Sequence, residues 1–589
     1  MISSKFIQIL VIFFAVLLFL VSATPLGRKK PFNRKRILIN GRPWHGMKPV
    51  LNLAEEPYPG KGNAVEEYFM NKINHFDSSS TGKYKQRYWY NKKFYVNGGP
   101  VFLMLGGESA ENAVWVERED FEWTSLAKEH NAMLFLLEHR YYGKSRPTKD
   151  MSTQNMQYLS SRQAIEDAAA FIRGMNERFN FANQTRWVLF GGSYSGALAA
   201  WARQAHPEVI FAAVGSSGPV QAEVDFYKYL YLVKNILSKY SPQCSNDLEK
   251  GLKKLETLVK TEDGARTISS VFNLCTHWSK LSNEDKEYFW LSIIGPYMGI
   301  VQYSGDNVGN FRTTANIPTL CSYHMDLKQT PIQHIVNVFN TYGNNSAGCL
   351  DVSYKEYINY LRSTSFDDLS ASDRSWTYQT CTEFGYYHST DYIANIPTLC
   401  SYHMDLKQTP IQHIVNVFNT YGNNSAGCLD VSYKEYINYL RSTSFDDLSA
   451  SDRSWTYQTC TEFGYYHSTD YIAGNFWGRV LDANWYVRQC TDIFGRSINN
   501  KTVYLSVDGT NNFYGGAKGF KGTNVIFLNG LDDPWYALGV LSRTNERNYA
   551  VMIHGTAHCA DMYPPSSEDL PSLTRARKNI RDLLERMLA

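Results

Sequence analysis

The chain has 589 residues, more than a typical single domain, and its 43% hydrophobic and 14% aromatic residues are sufficient for a large core. The formal net charge of +3 is concentrated at the amino-terminal end, where residues 1–36 carry seven basic side chains and no acidic one. Subtracting these seven charges leaves −4 for the remaining chain, which gives no support to nucleic-acid binding by a folded body.

The amino-terminal residues have the layout of a secretory signal. One lysine precedes an apolar run from Phe6 to Leu20, and small residues follow up to Ala23. A membrane anchor is the alternative, but the run is shorter than the roughly 20 apolar residues that a spanning helix needs. We therefore expect residues 1–23 to be a cleaved signal peptide and 24–64 to be a basic segment or propeptide, with no membrane association after cleavage.

The cysteine pattern and the glycosylation sequons fit the same secretory route. Ten cysteines behind a signal peptide favour disulfides over metal binding, because the sequence has no CxxC motif and no paired Cys/His spacing. The sequence accordingly predicts no metal and no cofactor. N-glycosylation sequons begin at Asn183, Asn344, Asn423 and Asn500.

Residues 65–220 alternate short apolar runs with helical patterns, and we interpret them as the first part of an α/β sheet. Four runs are nearly continuous in apolar residues, which is typical of strands buried on both faces of a parallel sheet. The helical pattern between them is clearest at 160–179. The four runs lie at 100–108, 131–140, 186–192 and 211–220.

The stretch RWVLFGGSYSGALAAWARQ, residues 186–204, runs from a predicted strand directly into a helical pattern. A nucleophile elbow needs small side chains two positions before and after its serine, because the turn is too tight for larger ones. Around Ser193 these positions are Gly191 and Ser195. Ser195 itself would already lie in the first helical turn, facing away. The pattern therefore predicts Ser193 as the nucleophile.

Residues 221–475 are predicted to be mainly helical, and they contain an exact duplication. Residues 315–393 recur at 394–472 without a single change. Solenoid repeats diverge and need several copies for stability, so two identical copies indicate a recent duplication or a misassembled gene rather than a tandem module. We expect the first copy to complete the helical region. The form of 510 residues that lacks 394–472 should then fold and be secreted.

Residues 476–589 return to the sheet pattern. The runs at 524–530 and 548–555 are again of the buried-strand type, and an amphipathic helix closes the chain. Alternation of strands and helices, then a long helical insertion, then renewed alternation indicates an α/β sheet that carries a large, mainly helical cap.

Two of these late strands end in residues that could serve Ser193. Asp533 follows the first strand, although an aspartate before proline is also a common helix N-cap. His558 lies in a loop after the second strand, whereas His554 continues that strand and is interpreted as structural. The order Ser193, Asp533, His558 is the chain order of the α/β-hydrolase triad, in which the cap is inserted between nucleophile and acid.

Five motifs together resemble one peptidase family. The segments are EHRYYGKS, GGSYSGALAAW, TCTEFGYY, NGLDDPW and GTAHCADM. They are similar to the serine carboxypeptidase family of lysosomal Pro-Xaa carboxypeptidase, dipeptidyl peptidase II and thymus-specific serine protease, with TCTEFGYY closest to the last branch. The resemblance runs from about Tyr68 to the carboxyl terminus, apart from one extra copy of the repeat. It implies Ser193, Asp533 and His558 as the triad.

The resemblance implies a secreted or lysosomal serine-type exopeptidase that cleaves peptides next to proline through an acyl-enzyme. The backbone amide of Tyr194 is the expected first oxyanion donor, and a second donor is expected near Gly107 in the LGGES turn. The expected partners are peptide substrates, and the sequence is compatible with either a monomer or a homodimer. An esterase or lipase on the same fold, or a binding protein without activity, are the alternative functions.

The same resemblance implies a set of disulfides. It pairs Cys244 with Cys321, Cys275 with Cys349, and Cys460 with Cys490, and it leaves Cys559 free beside the predicted histidine. With both copies of the repeat present, three further cysteines have no assigned partner. These are Cys381, Cys400 and Cys428.

Overall fold

The computed structural model describes residues 62–304, 316–326, 328–342, 385–387, 433–445, 449–470, 477–478 and 480–589. Eight strands of this region form one sheet. They are β1 (Val65–Lys72), β2 (Lys83–Asn91), β3 (Val101–Leu105), β4 (Met133–Leu137), β5 (Trp187–Gly192), β6 (Ala212–Ser216), β9 (Val525–Gly530) and β10 (Asn548–Ile553).

The sheet order is β1-β2-β4-β3-β5-β6-β9-β10. The pairs β1/β2 and β2/β4 are antiparallel, and all the others are parallel. Every residue of β3, β4, β5, β6 and β9 is buried, as the continuous apolar runs predict. The antiparallel edge of β1 and β2 was not predicted, because these strands are half exposed and mix charged with aromatic residues.

Helices flank the sheet and occupy the long interval between β6 and β9. Outside that interval they are α1 (Val114–Glu117), α2 (Glu122–Glu129), α3 (Ser161–Phe179), α4 (Tyr194–Ala205) and α16 (Pro571–Leu588). Within the interval they are α5 (Lys228–Tyr240), α6 (Pro242–Leu258), α7 (Glu262–Val271), α8 (Asn283–Tyr303), α9 (Ile317–His324), α10 (Pro331–Tyr342), α11 (Tyr433–Arg441), α12 (Ala450–Gln458), α13 (Ala483–Phe494), α14 (Asn500–Tyr514) and α15 (Gly516–Gly519).

This arrangement is the α/β-hydrolase fold. A mostly parallel sheet carries a helical cap between β6 and β9, and the strand that precedes the predicted nucleophile lies in the middle of the sheet. Among the described residues, no helix is both long enough and apolar enough to span a membrane.

The described part of the cap takes different pieces from the two copies of the repeat. Helices α9 and α10, residues 316–342, come from the first copy. Residues 433–470 come from the second copy, and they include α11, α12, a π-helical turn and the short strand β8 (Gly464–His467). Positions 433–470 repeat positions 354–391, so the two pieces are complementary parts of a single copy. This differs from the expectation that the first copy alone completes the cap.

A shortened chain should therefore keep the cap. Because the copies are identical, deleting 394–472 gives the same chain as deleting 354–432. Among the described residues, that deletion removes only β7 (Gly385–Tyr387), which pairs with β8. We expect the variant of 510 residues to be secreted at least as well as the full chain and to unfold at the same temperature or higher. Secretion yield and thermal unfolding measure this.

The native protein offers a direct check of the same expectation. The peptide HSTDYIANIPTLCSYH spans the junction between the copies and occurs only in the longer form. We expect mass spectrometry of secreted native protein to find no such peptide in quantity. Its abundance there would show that the duplication is tolerated, and a shortened variant that fails to fold would show that both copies are needed.

Two of the expected disulfides are confirmed. Cys244 on α6 is bonded to Cys321 on α9, and Cys460 in the π-helical turn is bonded to Cys490 on α13. Cys559 is free and buried, as expected. Cys275 is disulfide-bonded, whereas its expected partner and the three unassigned cysteines lie outside the described residues. They are Cys349, Cys381, Cys400 and Cys428.

The sequons divide in the same way. Asn183 follows α3 and is exposed, and Asn500 is exposed at the first position of α14. Both are accessible for glycosylation, which stays a prediction. Asn344 and Asn423 lie outside the described residues.

Candidate active site

Ser193 lies in the tight turn between β5 and α4. Its backbone has φ 58° and ψ −130°, a left-handed conformation that is strained for a residue with a side chain. A Cβ atom on Gly191 would lie 2.0 Å from the carbonyl oxygen of Ser195, and one on Gly196 would lie 2.7 Å from that of Ser216. The turn therefore requires the small residues that the sequence places there, and it holds Ser193 as a nucleophile elbow would.

Ser195 has a different environment. It is buried, and its Oγ donates to the carbonyl oxygen of Gly192 at 2.9 Å and accepts from the amide of Gly192 at 3.2 Å. Ser193 is half-buried. The hydroxyl of Ser195 is thus engaged inside the turn, and Ser193 is the less buried of the two serines.

Asp533 and His558 form a buried pair at the ends of β9 and β10. His558 Nδ1 donates to Asp533 Oδ2 at 2.7 Å, and both side chains are fully buried. Asp533 Oδ1 accepts from the amide of Trp535 at 3.0 Å and caps the short 3₁₀ helix Pro534–Leu538. One carboxylate oxygen of Asp533 therefore caps this helix and the other bonds His558, while a catalytic role for Asp533 stays a prediction.

The charges around His558 favour its protonated form. Burial alone would lower the pKa of the imidazole, but the adjacent Asp533 carboxylate outweighs burial and raises the pKa well above the usual value. His558 Nε2 is buried and has no hydrogen-bond partner among the described residues. Asp533 holds the Nδ1 proton of His558, so in the neutral ring Nε2 is the nitrogen without a proton. The raised pKa stabilises the imidazolium that forms when Nε2 accepts a proton.

The end of β6 connects the elbow to the histidine loop. The amide of Ser193 donates to the carbonyl oxygen of Ser216 at 2.9 Å, and the amide of Cys559 donates to Ser217 Oγ at 3.0 Å. The two loops are therefore attached to adjacent residues of one strand end. The structure does not join Ser193 to His558 by a hydrogen bond. Contacts between catalytic groups often tighten only when substrate is bound.

A cap helix also holds His558, which sequence reasoning missed. The amide of His558 donates to the carbonyl oxygen of Gln302 near the end of α8 at 2.8 Å. Gln302 Oε1 in turn accepts from the Tyr229 hydroxyl at 2.6 Å. In the sequence, Gln302 is a single glutamine in the otherwise apolar segment IIGPYMGIVQY. A lone polar residue of this kind does not reveal a hydrogen-bond partner far along the chain.

The two expected oxyanion donors have different surroundings. Tyr194 is the first residue of α4, so its amide lies at a helix N-terminus. Gly107 packs against Ser195, and its amide donates to Glu111 Oε1 at 3.3 Å. Burial, with Glu138 nearby, raises the pKa of Glu111 to about 8. Gly107 would have to release Glu111 before it could donate to a substrate.

One cluster of side chains in the cap has the composition of a metal site. The ligand atoms of Asp247, His324 and His334 lie within 4.8 Å of one another. Both Nδ1 atoms donate to Asp247 Oδ2, at 2.8 Å from His324 and 2.6 Å from His334. The Nε2 atoms meet the Tyr297 hydroxyl at 3.1 Å and the carbonyl oxygen of Asp326 at 3.0 Å. Every ring nitrogen thus has a protein partner, and the cluster acts as a hydrogen-bonded clasp between α6, α9 and α10.

Comparisons with known proteins confirm the resemblance that the motifs indicate. Residues 71–396 and 391–580 match the family model of serine carboxypeptidase S28. The chain is 38% identical to a provisionally named serine protease of Caenorhabditis elegans over 563 residues, which covers 94% of this chain and 95% of that protein.

Two mammalian relatives are more distant. The chain is 28% identical to the thymus-specific serine protease of Homo sapiens over 521 residues, covering 87% of this chain and 84% of that protein. It is 25% identical to the lysosomal Pro-X carboxypeptidase of Mus musculus over 540 residues, covering 90% of each. Since the family model matches well over half of its length, the chain belongs to the serine carboxypeptidase S28 family and is a serine-type peptidase.

Proposed function

We propose that the protein is an exopeptidase that cleaves peptides next to proline, with Ser193 as nucleophile, His558 as general base and Asp533 as its partner. The buried pair of His558 and Asp533 carries this proposal. Within this pair, His558 Nε2 lacks a hydrogen-bond partner among the described residues. The loop that carries His558 is attached to the same strand end as the elbow of Ser193.

In the proposed reaction, His558 Nε2 takes the proton of Ser193 Oγ as that oxygen attacks the scissile carbonyl carbon. Asp533 stabilises the resulting imidazolium through Nδ1. The amide of Tyr194 donates to the oxyanion of the tetrahedral intermediate. The imidazolium then protonates the leaving amine, and the acyl-enzyme on Ser193 forms. Water activated by His558 releases the second product by the same steps in reverse order.

The surroundings of His558 support a proline-directed exopeptidase. The Trp535 ring lies 6.3 Å from the His558 ring and packs with Phe226 and Tyr465. All three rings are buried and form an apolar wall beside the base. The cap meets His558 through Gln302, so it lies over the carboxyl edge of the sheet and favours chain ends over internal bonds. One relative is named a Pro-X carboxypeptidase.

A secreted or lysosomal location is part of the proposal. Two disulfides stabilise the cap, and such bonds persist in oxidising compartments. The relative from Mus musculus is named as lysosomal. The buried carboxyl groups described next favour a mildly acidic medium, which is consistent with this route.

The folded protein should be more stable at pH 5.5 than at pH 8. Burial raises the pKa of several carboxyl groups, so the folded state keeps protons that the unfolded chain loses above about pH 4.5. Their stabilising contribution is complete below that pKa and is lost as the pH rises through their folded values. Three histidines oppose this trend below their usual pKa of 6.5, because burial lowers the pKa of His130, His139 and His324, that of His139 to about 4. The groups reach about 6 (Asp225), about 7 (Glu122, Glu138, Glu287) and about 8 (Glu111, Glu462, Asp470).

Thermal unfolding at the two pH values measures this, and Glu462→Gln isolates one group. Glu462 Oε2 accepts from the amide of Ser161 at 2.8 Å, a bond that the glutamine oxygen can keep. We expect the variant to unfold a few degrees higher than the parent at pH 8 and at the same temperature at pH 5.5. Glu585→Gln, exposed on α16, is the control without effect. A parent that is more stable at pH 8 would contradict the prediction.

The function itself is tested with substrates that differ at one end. Prolyl peptides with a free amino terminus and a blocked carboxyl terminus should be cleaved by a dipeptidyl peptidase, and the reverse set by a carboxypeptidase. Cleavage of one set, together with labelling by a fluorophosphonate probe, supports the proposal. Turnover of p-nitrophenyl esters without peptide cleavage, or cleavage of peptides blocked at both ends, would overturn it.

A further inference from the structure

A chain of hydrogen bonds beside the elbow links the sheet to the second copy of the repeat. His139 Nδ1 meets the carbonyl oxygen of Arg140 at 2.8 Å, and His139 Nε2 meets the Tyr194 hydroxyl at 3.0 Å. The same hydroxyl accepts from Gln458 Nε2 at 3.1 Å. Gln458 Oε1 accepts from the Tyr142 hydroxyl at 3.3 Å. His139, Tyr194 and Gln458 are all buried.

Each group in this chain has a single role. His139 Nδ1 faces a carbonyl oxygen, so it carries the ring proton, and Nε2 of the neutral ring must accept. Burial lowers the pKa of His139 to about 4, which keeps the ring neutral in mildly acidic and neutral media. The Tyr194 hydroxyl therefore donates to His139 and accepts from Gln458. Exchange of any member for an apolar residue would leave a buried polar group without its partner.

The side chain of Tyr194 is held on the cap side by rings as well. The ring of Trp455 lies 5.3 Å from it and that of Phe463 lies 5.8 Å from it. Trp455, Gln458 and Phe463 all belong to the second copy, on α12 and the π-helical turn that follows. The backbone amide of the same residue is the proposed oxyanion donor, directly after Ser193. Such donors are effective only when their position is fixed to within about half an ångström of the productive geometry.

We propose that Gln458 is a positioning residue for catalysis, which fixes the direction of the Tyr194 amide through the Tyr194 hydroxyl. This rests on the proposed function, because it needs Ser193 as nucleophile and the Tyr194 amide as oxyanion donor. It makes a residue of the second copy of the repeat a contributor to the catalytic rate. The folded cap then aligns the reaction centre in addition to limiting access to it.

The test uses the full chain of 589 residues with Gln458→Met, which keeps the side-chain length and removes the donor. Gln379 occupies the identical position of the first copy, outside the described residues, so Gln379→Met is a control of identical chemistry. We expect Gln458→Met to lower kcat at least tenfold with a change in KM of less than twofold, since loss of a whole oxyanion donor costs about 10²–10³-fold. Gln379→Met should leave both constants unchanged.

Tyr194→Phe provides a second route if Gln458→Met folds poorly. It keeps the ring contacts and removes only the hydroxyl, and we expect a similar fall in kcat. The double variant should lose no more kcat than Tyr194→Phe alone, because both changes break the same bond. Thermal unfolding separates a positioning effect from loss of fold.

Each outcome is decisive. Unchanged kcat in Gln458→Met or in Tyr194→Phe, additive losses in the double variant, or an equal loss in Gln379→Met would overturn the inference. If Ser193→Ala is inactive while Gln458→Met keeps full activity, the inference alone fails. If Ser193→Ala keeps its activity, the proposed function fails first.

Discussion

Ser193→Ala should abolish hydrolysis and labelling by a fluorophosphonate probe, with a loss in kcat on the order of 10⁶-fold. In the proposed mechanism the Ser193 hydroxyl supplies the attacking oxygen, and the residue has a strained φ of 58° in the turn. Removing it leaves binding and the oxyanion donors intact, so only the slow direct attack by water remains. Steady-state kinetics on a cleaved prolyl peptide and gel-based probe labelling measure the two effects.

Ser195→Ala is the matched control, two residues away in the same turn. Its Oγ bonds both the amide and the carbonyl group of Gly192, so we expect a stability loss of about 1 kcal/mol and retention of most activity. If Ser195→Ala were the inactive variant and Ser193→Ala the active one, the position of the nucleophile in the turn would be wrong.

Asp533→Asn should lower kcat by about 10⁴-fold. The asparagine amide can donate to His558 Nδ1, which would then carry no proton, and Nε2 would become protonated and unable to act as a base. The 3₁₀ helix that follows can keep its cap, because the side-chain oxygen can still accept from the amide of Trp535. Thermal unfolding should therefore change little while the rate falls.

Asp532→Asn is the neighbouring control. Asp532 is partly exposed and forms an ion pair of 2.8 Å with Lys239, which is 63% exposed. A surface pair of this kind contributes less than about 1 kcal/mol, so we expect activity within a fewfold of the parent. Equal losses in the two variants would argue against a special role for Asp533.

The parts of the fold that follow from local sequence were predictable. Continuous apolar runs identified the buried parallel strands, because a strand covered on both faces has no polar side. The small residues around Ser193 identified the elbow, since a larger side chain at Gly191 would meet the backbone of Ser195. The proximity of Asp533 and His558 followed from their places after consecutive strands, because parallel strands end at one edge, and their catalytic role stays a prediction.

The parts that depend on distant contacts were not predictable from one sequence. Gln302 and Gln458 bond His558 and Tyr194 across large separations in the chain, and nothing next to them in the sequence marks these partners. The half-exposed β1 has neither a continuous apolar run nor strict alternation. The sequence also cannot predict which copy supplies which part of the cap, because the two copies are identical.

Loop-closure entropy accounts for the way in which the two copies share the cap. Cys244 has bonded to Cys321, 77 residues along the chain, although the identical Cys400 lies 79 residues further on. Cys490 has bonded to Cys460, 30 residues away, although the identical Cys381 lies 79 residues further back. Since closure cost grows as 1.5RT times the logarithm of loop length, the nearer thiols are favoured by roughly 0.6 and 1.1 kcal/mol. Cys244 and Cys490, which lie outside the repeat, are thus each bonded to the copy that is nearer in sequence. The 79 residues in excess of one copy lie between the two bonded cysteines Cys321 and Cys460.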